Sequence, residues 1–238
     1  MKKQALIILG FITMSFGAFA QTPETIFENY VKATGGEDVY NGIEVFSIHQ
    51  ADEDSKVPYE SNLAVSVKNN KVLRSRTVLS RNFLYELNGN NANLHVPTGG
   101  LNRGNSFQTQ KLSDFEKSKL QVELNDKYLP FMNYKAKGYR AKVVGPKNIG
   151  GENTIQVELS NTDVTRNYYF STKTNLIVQE ELTYSNGDKI SYKHTAYDKL
   201  ENGLRYPSES VMTEQGKTRT VKTDIKINNV PDDEFEVK

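Results

Sequence analysis

From residue 164 to residue 238, four or five segments of strand pattern follow one another with barely enough room between them for turns. A chain with that spacing is confined to an antiparallel sheet built from consecutive hairpins. Val164, Arg166, Tyr168 and Phe170 alternate with Thr165, Asn167 and Tyr169. After the polar break at 171–175, Leu176, Val178, Glu180, Leu182 and Tyr184 alternate again. Both runs have the period of two expected of strands with distinct faces. Asn186-Gly187 and Asn202-Gly203 supply the positive φ that tight hairpin turns require. In the last segment Arg219, Val221, Thr223, Ile225 and Ile227 share one face, and Thr218, Thr220, Lys222, Asp224 and Lys226 share the other. One face is therefore expected to be covered and the other wet.

Upstream, Thr22-Pro23 provides a helix cap and a proline at the first helical position. Ile26, Phe27, Tyr30 and Val31 then recur at helical spacing until Gly35-Gly36. Strand pattern follows at 43–49, 62–68, 71–81 and 83–87, with turns at Asn69-Asn70 and Asn88-Gly89. Leu63, Val65 and Val67 form the cleanest apolar face, and 51–56 reads as a charged loop. Residues 88–104 are rich in Asn and Gly and weakly periodic, which fits either a plain connection or a rim loop over a cavity. Ser113, three residues before Glu116, forms a capping box that predicts a helix to about Lys127.

The stretch 128–134 is the most apolar outside the N-terminus, and Pro130 prevents a simple continuation of the helix. Leu129, Phe131 and Met132 must be covered, either as permanent core on the sheet or as a lid over a cavity. Strands resume at 139–144 and 154–160, with 145–151 read as the turn between them.

The run Tyr168-Tyr169-Phe170-Ser171-Thr172-Lys173-Thr174-Asn175-Leu176-Ile177-Val178 resembles a hairpin common in the LolA/LolB-like superfamily of outer-membrane lipoprotein-sorting proteins. Glu201-Asn202-Gly203-Leu204-Arg205-Tyr206-Pro207 and Pro231-Asp232-Asp233-Glu234-Phe235 are similar to that group's next landmarks, in the same order. The resemblance covers the C-terminal third closely and the rest in outline. It implies a mainly β, α+β fold: a curved antiparallel half-barrel with an N-terminal helix and a middle helical lid, its concave face holding acyl chains. The partners it implies are lipid or lipoprotein acyl chains and membrane-associated donor and acceptor proteins. The ligand-facing residues would then be Leu63, Val65, Val67, Leu129, Phe131, Met132, Tyr168, Phe170 and Leu182. A sensing module that binds a partner protein in the same groove is the alternative.

Lys2 and Lys3, the apolar run from Ala5 to Ile12 and Ala18-Phe19-Ala20 have the pattern of a secretory signal peptide cleaved after Ala20. The apolar run falls short of the roughly 20 residues of a spanning helix. Residues 21–238 then form a single domain, expected to be a monomer in the periplasm, with secretion as the second choice. The 30 Lys and Arg fall by two with the leader, against 29 Asp and Glu, so no basic field remains to recruit nucleic acid. There is no cysteine, hence no disulfide, thiol chemistry or lipid-anchoring cysteine.

His49, His95 and His194 show no metal-ligand spacing, and no nucleophile elbow is present, so neither a metal, a cofactor nor a catalytic residue is expected. Glu180 and Glu181 are adjacent on a strand and so face opposite sides; both read as a solvated edge. Arg74 and Arg76 share a strand face with Val72 and Val78, which reads as a solvated outer face more readily than as arginines reaching over a cavity mouth.

Overall fold

A computed structural model describes residues 21–52, 58–78, 81–98 and 106–237. The leader with its cleavage site, Gly99-Gly100 and most of the charged 51–56 segment lie outside these residues, while Ala51 and Asp52 complete a strand. The described residues form thirteen strands in one antiparallel sheet: β1 (Val45–Asp52), β2 (Tyr59–Ser66), β3 (Lys71–Val78), β4 (Arg81–Asn88), β5 (Asn91–Pro97), β6 (Phe107–Lys111), β7 (Arg140–Ile149), β8 (Glu152–Ser160), β9 (Val164–Ser171), β10 (Ile177–Tyr184), β11 (Lys189–Lys199), β12 (Arg205–Glu214) and β13 (Lys217–Ile227).

In space the order runs β6-β5-β4-β3-β2-β1-β13-β12-β11-β10-β9-β8-β7. First and last strands lie side by side, with Phe46 opposite Ile227 and Ile48 opposite Ile225. Two meanders run outward from that seam to the edges β6 and β7. The link between those edges, α3 (Asp114–Asp126) with the turn-rich residues 127–139, must therefore cross the sheet. Strand twist accumulates over so many strands, and an open sheet of this width curls and needs a cover on its concave face. The helices α1 (Pro23–Ala33) and α3 and the segment 127–138 supply that cover, giving the half-barrel that the resemblance implies.

Local chemistry accounts for the helix ends. Thr22 Oγ1 accepts from the Thr25 amide at 3.3 Å, Pro23 opens α1, and Ile26, Phe27, Tyr30 and Val31 are buried. Thr34 closes it, its hydroxyl donating to the Tyr30 carbonyl at 2.8 Å and meeting the Tyr40 hydroxyl at 2.6 Å. Gly36, at φ +89°, then leads into a five-residue helix, α2 (Glu37–Asn41), which the sequence pattern does not announce. Ser113 Oγ accepts from the Glu116 amide at 3.2 Å to start α3, while the Glu116 carboxylate turns to Lys119 Nζ at 3.4 Å.

Three readings of the pattern are corrected by the pairing. The described part of 88–104, up to residue 98, is not a bare connection: Gly89, at φ +56°, turns the chain, and 91–97 form β5, whose pairing with β4 places His95 opposite Leu84, while 99–104 lie outside the described residues. Within it Ala92, Leu94 and Val96 alternate with Asn91, Asn93 and His95, a period of two that the surrounding Asn and Gly obscure. Residues 145–151 are not all turn, because β7 runs on through Gly145 and Pro146, with a bulge between Val143 and Gly145. An edge strand tolerates such a proline because one side of its ladder is unpaired. In β10 a register shift between Ile177 and Gln179 resets the alternation, so that Ile177 takes the buried inner place expected of Val178.

Candidate functional site

Between the concave face and its cover lies a partly open cavity of ≈ 230 Å³. Its floor is formed by Phe46 and Ile48 from β1, Leu63 from β2, Tyr168 from β9, Leu182 from β10 and Tyr192 from β11. The roof comes from Tyr30 of α1 and from Tyr128, Leu129 and Phe131. A second compartment of ≈ 280 Å³ lies under the first part of α3 and shares Ser61, Arg74, Glu123 and Tyr192 with the first.

Helical geometry explains why α3 covers this space without filling it. Glu116, Lys119, Glu123 and Asp126 recur at spacings of three and four along the stripe of α3 that meets these compartments, while Leu120, Val122 and Leu124 are buried in the core. Such a stripe needs partners, and the sheet supplies them. Arg74 Nη2 meets Glu123 Oε1 at 2.5 Å, and Arg166 Nη2 meets Asp126 Oδ2 at 2.6 Å. Lys119 Nζ reaches Asp188 Oδ2 at 3.2 Å and lies over the Tyr184 ring. Lys137 Nζ gathers the end of the helix by donating to the carbonyls of Asp126 at 2.8 Å and Leu129 at 2.9 Å, and burial lowers its pKa to about 8.

The Arg166–Asp126 pair is incompletely satisfied. Asp126 Oδ1, Arg166 Nε and the nearby Tyr139 hydroxyl have no hydrogen-bond partner among the described residues. Burial raises the Asp126 pKa even with the guanidinium beside it, so desolvation outweighs attraction here.

Arg74 and Arg76 therefore do not lie on a solvated outer face. Arg74 stands opposite Leu63, and Val72 opposite Val65, which puts the arginines on the inner face; Arg76 pairs with Glu214 and stacks near Tyr59. Nor is Glu180 at a solvated edge. It faces opposite to Glu181, which meets Tyr169 and Gln179 outside, but its own side is the cavity. The surface it keeps is cavity wall, and enclosure pushes its pKa up, partly offset by Arg166.

Of the residues singled out in the sequence, Leu63, Leu129, Phe131, Tyr168 and Leu182 line this cavity. Val65 is fully buried, opposite Phe46 and Val72, and Val67 is packed at the end of β2. Phe170 packs against Phe27 and Tyr30 of α1. Met132 lies outside, in a groove of ≈ 570 Å³ between α1 and residues 131–136. Phe131 is both wall and core, stacked on Phe27 at 4.6 Å and edge-on to Tyr168 at 5.5 Å.

Sequence reasoning missed Arg166, Glu123 and Asp126. The one available signal was arginine at an inward position of an otherwise apolar strand, followed by carboxylates on the inward stripe of a helix. The histidines stay apart: His49 meets Glu60 at the surface, His95 lies between Glu86 and Thr109, and His194 in the cavity wall contacts Ser210 Oγ at 2.8 Å. Among the described residues no group of three metal-ligating side chains converges, and no helix is long and apolar enough to cross a membrane.

No family model matches the chain. A search of curated proteins also found no match. Solved structures do match. A LolA superfamily protein from Nitrosomonas europaea is 16% identical, with 91% of this chain and 98% of that one covered and a TM-score of 0.52. A DUF1329 family protein from Desulfovibrio piger is 8% identical, with 90% and 96% covered and a TM-score of 0.50. At such identities the likeness concerns fold alone, and over nearly the whole length of both proteins it is the fold described above. The chain has the LolA-like fold, an open half-barrel of antiparallel strands roofed by helices.

Proposed function

We propose that this chain is a periplasmic carrier for an apolar or amphiphilic lipid ligand, lipoprotein acyl chains included, in which α3 and residues 127–131 act as the lid. One observation carries the reading: over a partly open cavity, α3 is tied to the floor by ion pairs, Arg74–Glu123 and Arg166–Asp126, and the apolar packing of the roof is concentrated at Leu120, Leu129 and Phe131. Exchanging an arginine–carboxylate contact for water comes close to break-even, whereas opening packed hydrocarbon does not. The ion-paired α3 part of the roof can therefore lift at less cost than the part packed through Tyr128 and Phe131. It has to, because ≈ 230 Å³ is below the roughly 300–1,000 Å³ of ordinary small-molecule pockets. A carrier that competes with a bilayer must recover ~0.8 kcal/mol for each buried CH₂ of a chain.

The leader and the absence of cysteine support a protein that is exported and then moves free of any lipid anchor between membrane-associated donor and acceptor proteins. The chemistry is binding and release, not turnover. Protein purified without detergent from its native envelope, extracted with organic solvent and analysed by mass spectrometry, tests this. Stoichiometric lipid in the extract, and uptake of a fluorescent fatty-acyl probe after extraction, are expected. A retained polypeptide would favour a partner-binding module, and neither lipid nor uptake would refute the carrier.

A further inference from the structure

The cavity holds one carboxyl that no charged side chain contacts, although Arg166, diagonal to it across the β9–β10 pair, acts on its charge from farther off. Its two guanidinium groups are each held by a carboxylate of α3, Arg74 by Glu123 and Arg166 by Asp126. Lys127 stands at the rim, solvent-exposed. Glu180 accepts no hydrogen bond and joins no ion pair among the described residues, yet it lines the cavity. Its neighbours are aromatic. On the floor it stands directly opposite Tyr168 of β9 on one side and Tyr192 of β11 on the other. Neighbouring strands are about 4.8 Å apart, so the two tyrosine rings flank the carboxyl on the same face. Tyr30 and Tyr128 close over the cavity from above. The carboxylate is near enough to Tyr30, Tyr128, Tyr168 and Tyr192 for its charge to disfavour their ionisation.

A partly enclosed carboxylate among four tyrosines is a receptor for a weakly hydrated organic cation. Aromatic rings attract cations through their negative faces and a carboxylate supplies the counter-charge, both more strongly where water is excluded. An anionic headgroup is the poorer occupant, because it would have to displace Glu123 or Asp126 from an arginine and would leave Glu180 facing it. We propose that the cavity selects an amphiphile with a cationic head, a quaternary ammonium or protonated amine, seated beside Tyr128 and Tyr192, the two of these tyrosines that keep exposed surface, with Glu180 as its counter-ion. This rests on the carrier reading and names the class of head that the carrier takes.

Three probes with one chain length separate the two ideas: decyltrimethylammonium, its neutral near-isostere decyldimethylamine oxide, and decyl sulfate. Each is titrated calorimetrically into the mature protein at mildly alkaline pH, below its micelle concentration. The ammonium should bind about tenfold more tightly than the amine oxide, and the sulfate most weakly. Glu180→Gln should bring the ratio of ammonium to amine oxide affinity close to one, with a thermal melt confirming that the variant folds; should it not fold, the wild-type ranking decides alone. Equal affinities for ammonium and amine oxide, or a preference for the sulfate, would overturn the cationic head and leave the carrier standing. Binding of none of the three would overturn both.

Discussion

The buried pair between Arg166 and Asp126 makes an asymmetric prediction. The Arg166 side chain is 10% exposed and the Asp126 side chain 4%, and their contact at 2.6 Å ties β9 to the end of α3. Removing one partner of such a pair usually costs about 3–5 kcal/mol, because the other is left buried and uncompensated. The two partners differ in their means of escape. A guanidinium cannot shed its proton within the protein, so Asp126→Ala should incur the full figure of ~3–5 kcal/mol. A carboxyl can be neutralised, and the Asp126 pKa is already raised by burial. Arg166→Met should therefore cost less, on the order of 1–3 kcal/mol, since each further unit of pKa rise corresponds to ~1.4 kcal/mol.

The remaining Asp126 in Arg166→Met would have a folded-state pKa well above its unfolded one. The folded state then binds the proton more tightly, and the variant should gain stability as pH falls through the folded pKa. Replacing both, as Arg166→Met with Asp126→Leu, should return stability to wild type or exceed it by ~1–4 kcal/mol. Urea unfolding of the four proteins, followed by far-ultraviolet circular dichroism at two pH values, reads all of this. If Asp126→Ala costs no more than Arg166→Met, or if both lie within ~0.5 kcal/mol of wild type, the pair is not a buried latch.

His194 should make the protein acid-sensitive. Burial lowers its pKa from 6.5 to about 4, so between those values the unfolded chain holds more protons and stability falls as pH falls; the full effect is on the order of 3 kcal/mol, and His194→Gln should flatten that part of the curve. Phe131→Asp would put a carboxylate among Phe27, Tyr30, Tyr168 and Phe170. It should cost at least ~3–5 kcal/mol in a thermal or urea melt, and a loss below ~1 kcal/mol would show this residue to be free wall and not core. Thr22→Ala removes the cap of α1 and should cost about 1 kcal/mol by the same assay. The exported protein should begin at Gln21 and carry no acyl group; an intact mass that retains the leader or includes a lipid adduct would contradict this.

Sequence by itself determined what depends on near neighbours. Period-two alternation and Asn-Gly turns set the strands from residue 164 onward, and Thr22-Pro23 and Ser113 set the starts of α1 and α3, because backbone φ and first-turn capping are settled within a few residues. Only the tertiary structure decided which face of the sheet is concave and what stands over it. Arg74, Arg76 and Glu180 read as solvated because charge on an isolated strand belongs in water. The carboxylates that make Arg74 and Arg166 affordable inside lie on α3, 49 and 40 residues away. The bulge between Ile177 and Gln179, which brings Ile177 onto the inner face with Glu180 and Leu182, is likewise a property of paired strands and not of any one of them. Alternation records that a residue changes face; where each face looks is settled by the curl of the whole sheet and by the helix that must cross it.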